Sequence, residues 1–204
     1  MTTRTLFPTL VREEDLSGGD LRERLEAVCW LLADEDQAGN DWCDEQGYDG
    51  YTSYASLDDL PERFPEFAAL KDQLDAAAAR FAEELHWDMN GFALQLDAFW
   101  VNMLGEGGSH SGHIHPGSVI SGTYYVSLPE GAGQLKLEDP RLARMMAAPQ
   151  PLDDAPETAR RFVYLQPQEA HAFFWESWLR HEVMPNRGEE VRISVSFNYA
   201  LVRV

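Results

Sequence analysis

The second half of this chain is a series of short β-type segments with no helical segment between them. Each segment is rich in aromatic and β-branched residues and is bounded by Gly, Pro or Asp, a pattern typical of strands. In chain order the segments are FALQLDAFWVNM, SGTYYVSL, GQLKLED, RFVYLQ, AHAFFWES and VRISVSFNYALV. Consecutive strands without crossover helices favour an antiparallel sandwich or jelly roll over a parallel sheet.

Two amphipathic helices are predicted before these strands. Residues 19–36 and 64–86 each carry apolar side chains at helical spacing, which indicates one buried face. Residues 4–12 are typical of a short edge strand or arm. Residues 39–60 are polar and lack a sustained period, which predicts a long loop. Residues 140–161 contain four prolines and predict a second long loop, for which the role of a lid stays open.

The length of 204 residues is typical of one domain. We predict a single domain over 1–204, with residues 1–90 as a mostly helical buttress and residues 91–204 as a jelly-roll core. The predicted fold class is therefore mainly β with flanking α. A hydrophobic share of 44% can fill a core of this size and argues against global disorder.

The charge of the chain is strongly acidic, with 16 Lys and Arg against 35 Asp and Glu and a net charge of -19. Such a surface repels phosphates and anionic lipids, so neither nucleic acid nor a membrane is an expected partner. No run approaches the ~20 apolar residues of a membrane span, and no leader pattern is present, so we expect a cytoplasmic location. Cys29 and Cys43 are predicted to be free thiols.

Two histidines stand two residues apart in the segment GHIHPG, just before a predicted strand. On an extended backbone the side chains of His113 and His115 point to the same face. A third imidazole, from His181 about seventy residues later, can complete one facial metal site. The H-x-H pattern alone is equally compatible with two solvated histidines on a turn.

The segment RISVSFN separates polar and apolar residues onto opposite faces of one strand. Its apolar face is Ile193, Val195 and Phe197, and its polar face is Arg192, Ser194, Ser196 and Asn198. A buried guanidinium without a partner is costly, and a carboxylate ligand would remove that cost through a bidentate pair. Three imidazoles with a buried Arg beyond them form the arrangement that a non-heme Fe(II) oxygenase needs.

The order of these motifs resembles a known family. His113-x-His115, SGTYYV, GQLKLEDPR, FFWESWLRHEV and RISVSFN together look like the 2-oxoglutarate/Fe(II)-dependent oxygenase superfamily. More narrowly, they are similar to a bacterial and phage group of prolyl-hydroxylase-like oxygenases with an H-x-H-P motif. The resemblance covers roughly residues 95–200 and extends more weakly upstream.

The resemblance implies a double-stranded β-helix with helices packed on its larger sheet. It implies Fe(II) and 2-oxoglutarate as cofactors, and hydroxylation of a substrate with release of succinate and CO2. His113 and His181 match metal ligands of the family. Arg192 matches the residue that binds the far carboxylate of 2-oxoglutarate, with Tyr125 and one or both of Ser194 and Ser196 as hydrogen-bonding neighbours.

One position departs from the usual family pattern, because His115 stands where most members have Asp or Glu. His115 could itself be the third ligand, which is the option we favour. A carboxylate such as Glu138 or Asp139 could ligate instead, or the position could be open. Three neutral imidazoles still bind Fe(II).

The substrate is less constrained by the sequence. Asn102 and Trp178 are candidates for shaping a substrate pocket, each equally compatible with a packing role. A small molecule or a peptidyl side chain are both open as substrates, and the oligomeric state is open too, a homodimer included. Two other functions stay possible: a cupin-like metalloprotein that does not use 2-oxoglutarate, and a non-catalytic β-sandwich that binds a ligand through its aromatic residues.

Overall fold

Ten strands form two antiparallel sheets that face each other. The computed structural model describes residues 2–204. In chain order its elements are β1 Val11–Asp15, α1 Leu21–Glu35, α2 Gln37–Gln46, β2 Gly50–Thr52, α3 Leu60–Arg63, α4 Pro65–Glu84, β3 Phe92–Leu104, β4 His110–His113, β5 Ile120–Ser127, β6 Leu135–Glu138, β7 Phe162–Leu165, β8 His171–Glu176, β9 His181–Val183 and β10 Arg192–Arg203. Two short 3-10 turns lie in the loop between β6 and β7.

The larger sheet has six strands in the order β1-β8-β5-β10-β3-β2, and the smaller sheet has four in the order β4-β9-β6-β7. The longest pairing joins β10 to β3 over almost the whole length of both strands. Strands that neighbour each other in space but not in sequence are the mark of a jelly roll. The prediction of a mainly β double-stranded β-helix with flanking helices is confirmed.

The outer face of the larger sheet packs against the helices. Most of the apolar side chains of α1 and α4 are buried, as are the outward side chains Val101, Val195 and Phe197 of the sheet. The ring of Phe197 lies over Gly122 on β5, where an added Cβ would stand 2.2 Å from it. That contact explains why the strand segment begins Ser-Gly: a side chain at 122 would displace the core.

A β-bulge lies in the middle of β3. Asn198 pairs with Ala98 and Tyr199 pairs with Leu96, so Asp97 has no partner across the ladder and is exposed. The extra residue changes the phase of alternation. Leu96 therefore joins Phe99 on the helix-packed side, although the two are an odd number of positions, three, apart. This phase change is the reason that FALQLDAFWVNM alternates only in part.

The prediction of an unstructured loop over 39–60 is wrong. This stretch contains most of α2, then β2, and ends where α3 begins. Helix α2 is polar in sequence, and its start is stabilised by the Asp36 carboxylate, which accepts a hydrogen bond from Gly39 N at 3.0 Å. It ends at Gly47, whose φ of 64° is left-handed. Capping rather than an apolar period defines this helix.

Both cysteines are buried and unpaired as thiols, Cys29 in the core under the helices and Cys43 on α2. Within residues 2–204, every helix is too short or too polar to cross a lipid bilayer.

Candidate metal centre

Three imidazoles converge at one end of the space between the sheets. On β4 and β9, His113 and His181 are direct cross-strand partners, so their side chains share one face. His115 follows β4 and is held by a backbone hydrogen bond from its N–H to Ser177 O at 3.1 Å. One nitrogen from each of the three rings lies within 4.8 Å of the others. This is a spacing at which a single ion can contact all three.

The outward nitrogen of each ring has a polar partner. His113 Nδ1 lies 2.7 Å from Ser111 O, and His181 Nδ1 lies 2.9 Å from Leu179 O. A carbonyl accepts from a protonated Nδ1, which leaves Nε2 unprotonated and available as a ligand. The amide of Asn198 lies 3.3 Å from His115 Nδ1. Between the rings, His115 Nε2 and His181 Nε2 are 3.3 Å apart.

Burial keeps the imidazoles of His115 and His181 neutral. Desolvation lowers the pKa of His181 to about 3 and that of His115 to about 4. The neighbouring imidazole of His113 contributes to both pKa shifts, since a second positive charge so close would be repelled. At neutral pH both rings therefore have the neutral state that metal coordination requires.

A buried guanidinium lies at the other end of the same pocket. Arg192 is 1% exposed, and its Nη1 donates a hydrogen bond to Ser194 Oγ at 3.0 Å. The ring centroid of Tyr125 lies 5.2 Å from the guanidinium carbon of Arg192. Neither Nε of Arg192 nor the hydroxyl of Tyr125 makes a hydrogen bond within residues 2–204. Burial raises the pKa of Tyr125 to about 12, so its hydroxyl is a protonated donor at neutral pH. Burial lowers the pKa of Arg192, but a guanidinium is basic enough to keep its proton in a protein.

The polar row of β10 faces inward, as its alternation predicts. Ser194 contacts Arg192, whereas Ser196 lies one step nearer the imidazoles and accepts a hydrogen bond from Asn102 Nδ2 at 3.0 Å. Asn102 in turn accepts from Thr52 Oγ1 at 3.0 Å, so its side chain is fixed at the pocket wall. The site candidates Arg192, Ser194, Ser196 and Asn102 all line the pocket that holds the imidazoles.

Three other candidates lie elsewhere. Trp178 is 46% exposed and is not one of the side chains that line this pocket, because it points outward between the buried residues Ser177 and Leu179. The carboxylate of Glu138 lies 3.6 Å from Arg180 Nε, and that of Asp139 lies 2.7 Å from Arg141 Nη2. Both acids are therefore engaged by arginines rather than grouped with the imidazoles.

The long loop does not contribute to the lining of the imidazole pocket. The described residues 140–161 follow β6 and lead into β7, the strand at the edge of the smaller sheet farthest from β4. They contribute to a separate open recess of about 460 Å³, and none of them lines the imidazole pocket.

Sequence reasoning missed the pocket residue His110 and its partner Tyr48. His110 lines the pocket, and its Nε2 lies 2.6 Å from the Tyr48 hydroxyl. Burial lowers the pKa of His110 to about 4, with the Arg192 charge as a second cause. A third histidine near His113 was a visible signal, but Tyr48 comes from the stretch interpreted as a loop and gave none.

The donor set fits Fe(II) and a dicarboxylate. Neutral imidazole nitrogens suit a divalent first-row metal, and three of them leave positions open for other ligands. The unpaired Nε of Arg192 and the unpaired Tyr125 hydroxyl are buried donors that a carboxylate would satisfy.

A jelly roll with a facial group of imidazoles and an inward-facing buried arginine defines a non-heme iron oxygenase. The chain belongs to the 2-oxoglutarate/Fe(II) oxygenase family: a family model described as "Putative 2OG-Fe(II) oxygenase" matches residues 98–198. The protein is accordingly an enzyme that uses Fe(II) and 2-oxoglutarate. Among curated proteins, none matches this chain.

Several solved structures share the fold. The epimerase SnoN from nogalamycin biosynthesis, in complex with Fe3+, alpha ketoglutarate and nogalamycin RO, has a TM-score of 0.66 at 12% identity, over 96% of this chain and 81% of its own. HygX from Streptomyces hygroscopicus, with nickel and 2-oxoglutarate bound, has a TM-score of 0.58 at 14% identity, over 94% and 82%. A prolyl hydroxylase from Trichoplax adhaerens, in complex with a hypoxia inducible factor peptide fragment, has a TM-score of 0.59 at 14% identity, over 93% and 83%.

Proposed function

We propose that residues 1–204 act as one Fe(II)/2-oxoglutarate-dependent dioxygenase domain that hydroxylates its substrate and releases succinate and CO2. The observation that carries this proposal is the presence of two complementary sites in one pocket. At one end are three convergent imidazoles, and at the other is a buried arginine whose Nε has no partner.

His113, His115 and His181 would hold the iron in this proposal. When bound, Fe(II) supplies the coupling of oxidative decarboxylation of 2-oxoglutarate to oxidation of a substrate C–H bond. Two of these imidazoles are oriented by the backbone. The carbonyls of Ser111 and Leu179 bind Nδ1 of His113 and of His181, which leaves Nε2 of each ring free to bind the metal.

Arg192 would bind the far carboxylate of 2-oxoglutarate, with Tyr125 as a second donor. Ser194 orients the guanidinium through its hydroxyl. The pairing is favourable because both donors are already desolvated and unpaired, so the ligand satisfies groups that otherwise cost free energy in the folded protein. Ser196 and Asn102 would then form the wall between the two ends of the site.

A small molecule or a peptidyl side chain is the proposed substrate class. Enzymes of the same fold accommodate both kinds of ligand, since SnoN is bound to nogalamycin RO and the Trichoplax enzyme to a peptide fragment. Two free, buried thiols support a reducing compartment such as the cytoplasm.

The test is anaerobic addition of Fe(II) and 2-oxoglutarate to the purified chain. We expect a visible charge-transfer band in the wild type that is weakened in Arg192→Ala at the same 2-oxoglutarate concentration. Arg203→Ala is the matched control, because Arg203 lies on the same strand but is exposed. Iron binding without any band would indicate a metalloprotein that does not use 2-oxoglutarate and would overturn the proposal.

A further inference from the structure

One buried donor in the pocket has no role in the assignments above. Trp175 is only 2% exposed, and its indole N–H is inaccessible to solvent. This N–H makes no hydrogen bond within residues 2–204. A buried N–H without an acceptor costs free energy, and buried tryptophans usually have a partner for it. An unpartnered indole N–H at the wall of a ligand pocket therefore points to an acceptor that comes with the ligand.

The position of Trp175 identifies the end of the pocket that it serves. Its ring centroid lies 4.6 Å from that of His181, and both residues line the pocket. On the larger sheet Trp175 pairs with Ser121, which pairs with Asn198. Asn198 is the residue whose amide lies beside His115. Trp175 thus belongs to the row of the sheet nearest the imidazoles.

Arg192 serves the opposite end. It lies six residues before Asn198 on β10, but its guanidinium bonds to Ser194, four residues before Asn198, which is roughly 13 Å along a strand at about 3.3 Å per residue. Its side chain reaches back to Tyr125 and Ser194, not to the row of Trp175. The two unsatisfied nitrogen donors, Trp175 Nε1 and Arg192 Nε, are therefore at separate ends of one pocket.

No group within residues 2–204 accepts a hydrogen bond from the indole N–H of Trp175. Trp175 lies in the cluster of the inner faces, whose other buried members are Tyr125, Leu135, Leu137, Phe173 and Leu179. Apart from the Tyr125 hydroxyl, which is itself unpaired, these side chains are hydrocarbon. Tyr125 and Trp175 do not bond to each other, so each retains a donor for a group that enters the pocket.

We infer that the indole N–H of Trp175 donates a hydrogen bond to the metal-end carboxylate of 2-oxoglutarate. The inference rests on the proposed function, and it adds a second anchor: Arg192 binds one carboxylate and Trp175 the other. A ligand held at both ends has its reactive end oriented before the substrate arrives.

The first experiment compares the affinity for 2-oxoglutarate in wild type, Trp175→Phe and Trp30→Phe, each loaded with Zn(II) as a redox-inert metal and measured by calorimetry. Phenylalanine keeps an aromatic ring but removes the N–H. We expect the Kd of Trp175→Phe to rise about tenfold, as for loss of a hydrogen bond to a charged group. Its affinity for Zn(II) should stay at the wild-type value. Trp30 is exposed on α1, and its substitution should leave both affinities unchanged.

The second experiment needs no altered pocket. In protein labelled with 15N at its six tryptophans, the Trp175 indole proton should move downfield and exchange more slowly with water when 2-oxoglutarate is added. A Trp175 resonance that does not respond to 2-oxoglutarate would overturn the inference even if Trp175→Phe failed to fold, and so would an unchanged Kd in a folded variant. If the wild type does not bind 2-oxoglutarate at all, the proposed function itself fails.

Discussion

The two faces of β10 differ in what they contribute. Outward, Ile193, Val195 and Phe197 are completely buried in the hydrophobic core under the helices. Inward, Arg192 and Ser194 are equally buried, yet they present polar atoms, one of which has no partner. The same backbone and the same degree of burial therefore support two different uses: one face stabilises the fold, and the other retains unsatisfied donors for ligands.

The comparison teaches that burial alone does not separate core from site. Burying an apolar side chain stabilises the fold, whereas burying a donor without an acceptor destabilises it. A cluster of such donors in a folded protein indicates a ligand that supplies the acceptor. We therefore expect substitutions on the outer face to change stability and substitutions on the inner face to change ligand binding.

The largest expected effect is on the outer face. Phe197→Ala removes a ring that fills the space above Gly122, and we expect it to lower the free energy of unfolding by about 3–5 kcal/mol. Urea denaturation measures this value, with Leu201→Ala, which is 40% exposed on the same strand, as the milder control. A change in 2-oxoglutarate affinity without a loss of stability would break the division between the faces.

Zn(II) should raise the free energy of unfolding only when the imidazoles of His113, His115 and His181 are all present. At a Zn(II) concentration about 100 times the Kd, linkage predicts about 2.7 kcal/mol of added stability. His181→Ala removes a ligand that is 4% exposed, and we expect no metal-dependent rise in Tm for this variant. Calorimetric scans with and without Zn(II) test this. An equal rise in His181→Ala would exclude His181 from the metal site.

Arg192→Met is expected to move binding and stability in opposite directions. Loss of the charged donor should raise the Kd for 2-oxoglutarate between about 10- and 100-fold. The unliganded variant should be as stable as the wild type or more so, because an unpaired buried guanidinium is replaced by an apolar side chain of similar length. Calorimetry and denaturation of the same sample test both. A strongly destabilised variant would mean that Arg192 has a structural role.

The smallest expected effect concerns Asn198, which orients His115 from behind. Asn198→Ala should weaken Zn(II) binding by about tenfold, at the lower end of the range for groups that support metal ligands. Competition with a chromogenic chelator gives the Kd. The affinity of the same variant for 2-oxoglutarate should fall less than its affinity for Zn(II). A larger loss of 2-oxoglutarate affinity would mean that Asn198 supports the cosubstrate rather than the metal ligand His115.

Local sequence patterns predicted much of this arrangement. The alternation in RISVSFN gave the inward and outward sets of β10, and the helical spacing gave α1 and α4. These predictions succeed because a strand or helix with one buried face repeats its apolar residues at a fixed period. The family resemblance, rather than any pattern, supplied the roles of Arg192 and Tyr125.

Other features could not be predicted, because they depend on contacts between residues far apart in the chain. Tyr48 reaches His110 from 62 residues away, and α2 has no apolar period to indicate it. The exposure of Trp178 depends on the turn between β8 and β9, not on composition. Trp175 looked like one more aromatic residue in AHAFFWES, since a missing hydrogen-bond acceptor is visible only once the neighbours are in place.

The unpaired Asp97 has a consequence for how this sheet can vary. The bulge shifts the alternation of side chains within one strand. Before it, Leu94 and Leu96 face the helices, and after it Phe99 does so as well. Deleting Asp97 would place Leu96 directly before Ala98 and remove the bulge, so Leu94 and Leu96 would still face the helices and Trp100 and Asn102 would stay beside the pocket. A residue can therefore be gained or lost in the N-terminal half of β3 without moving Trp100 and Asn102, the side chains of this strand that line the pocket.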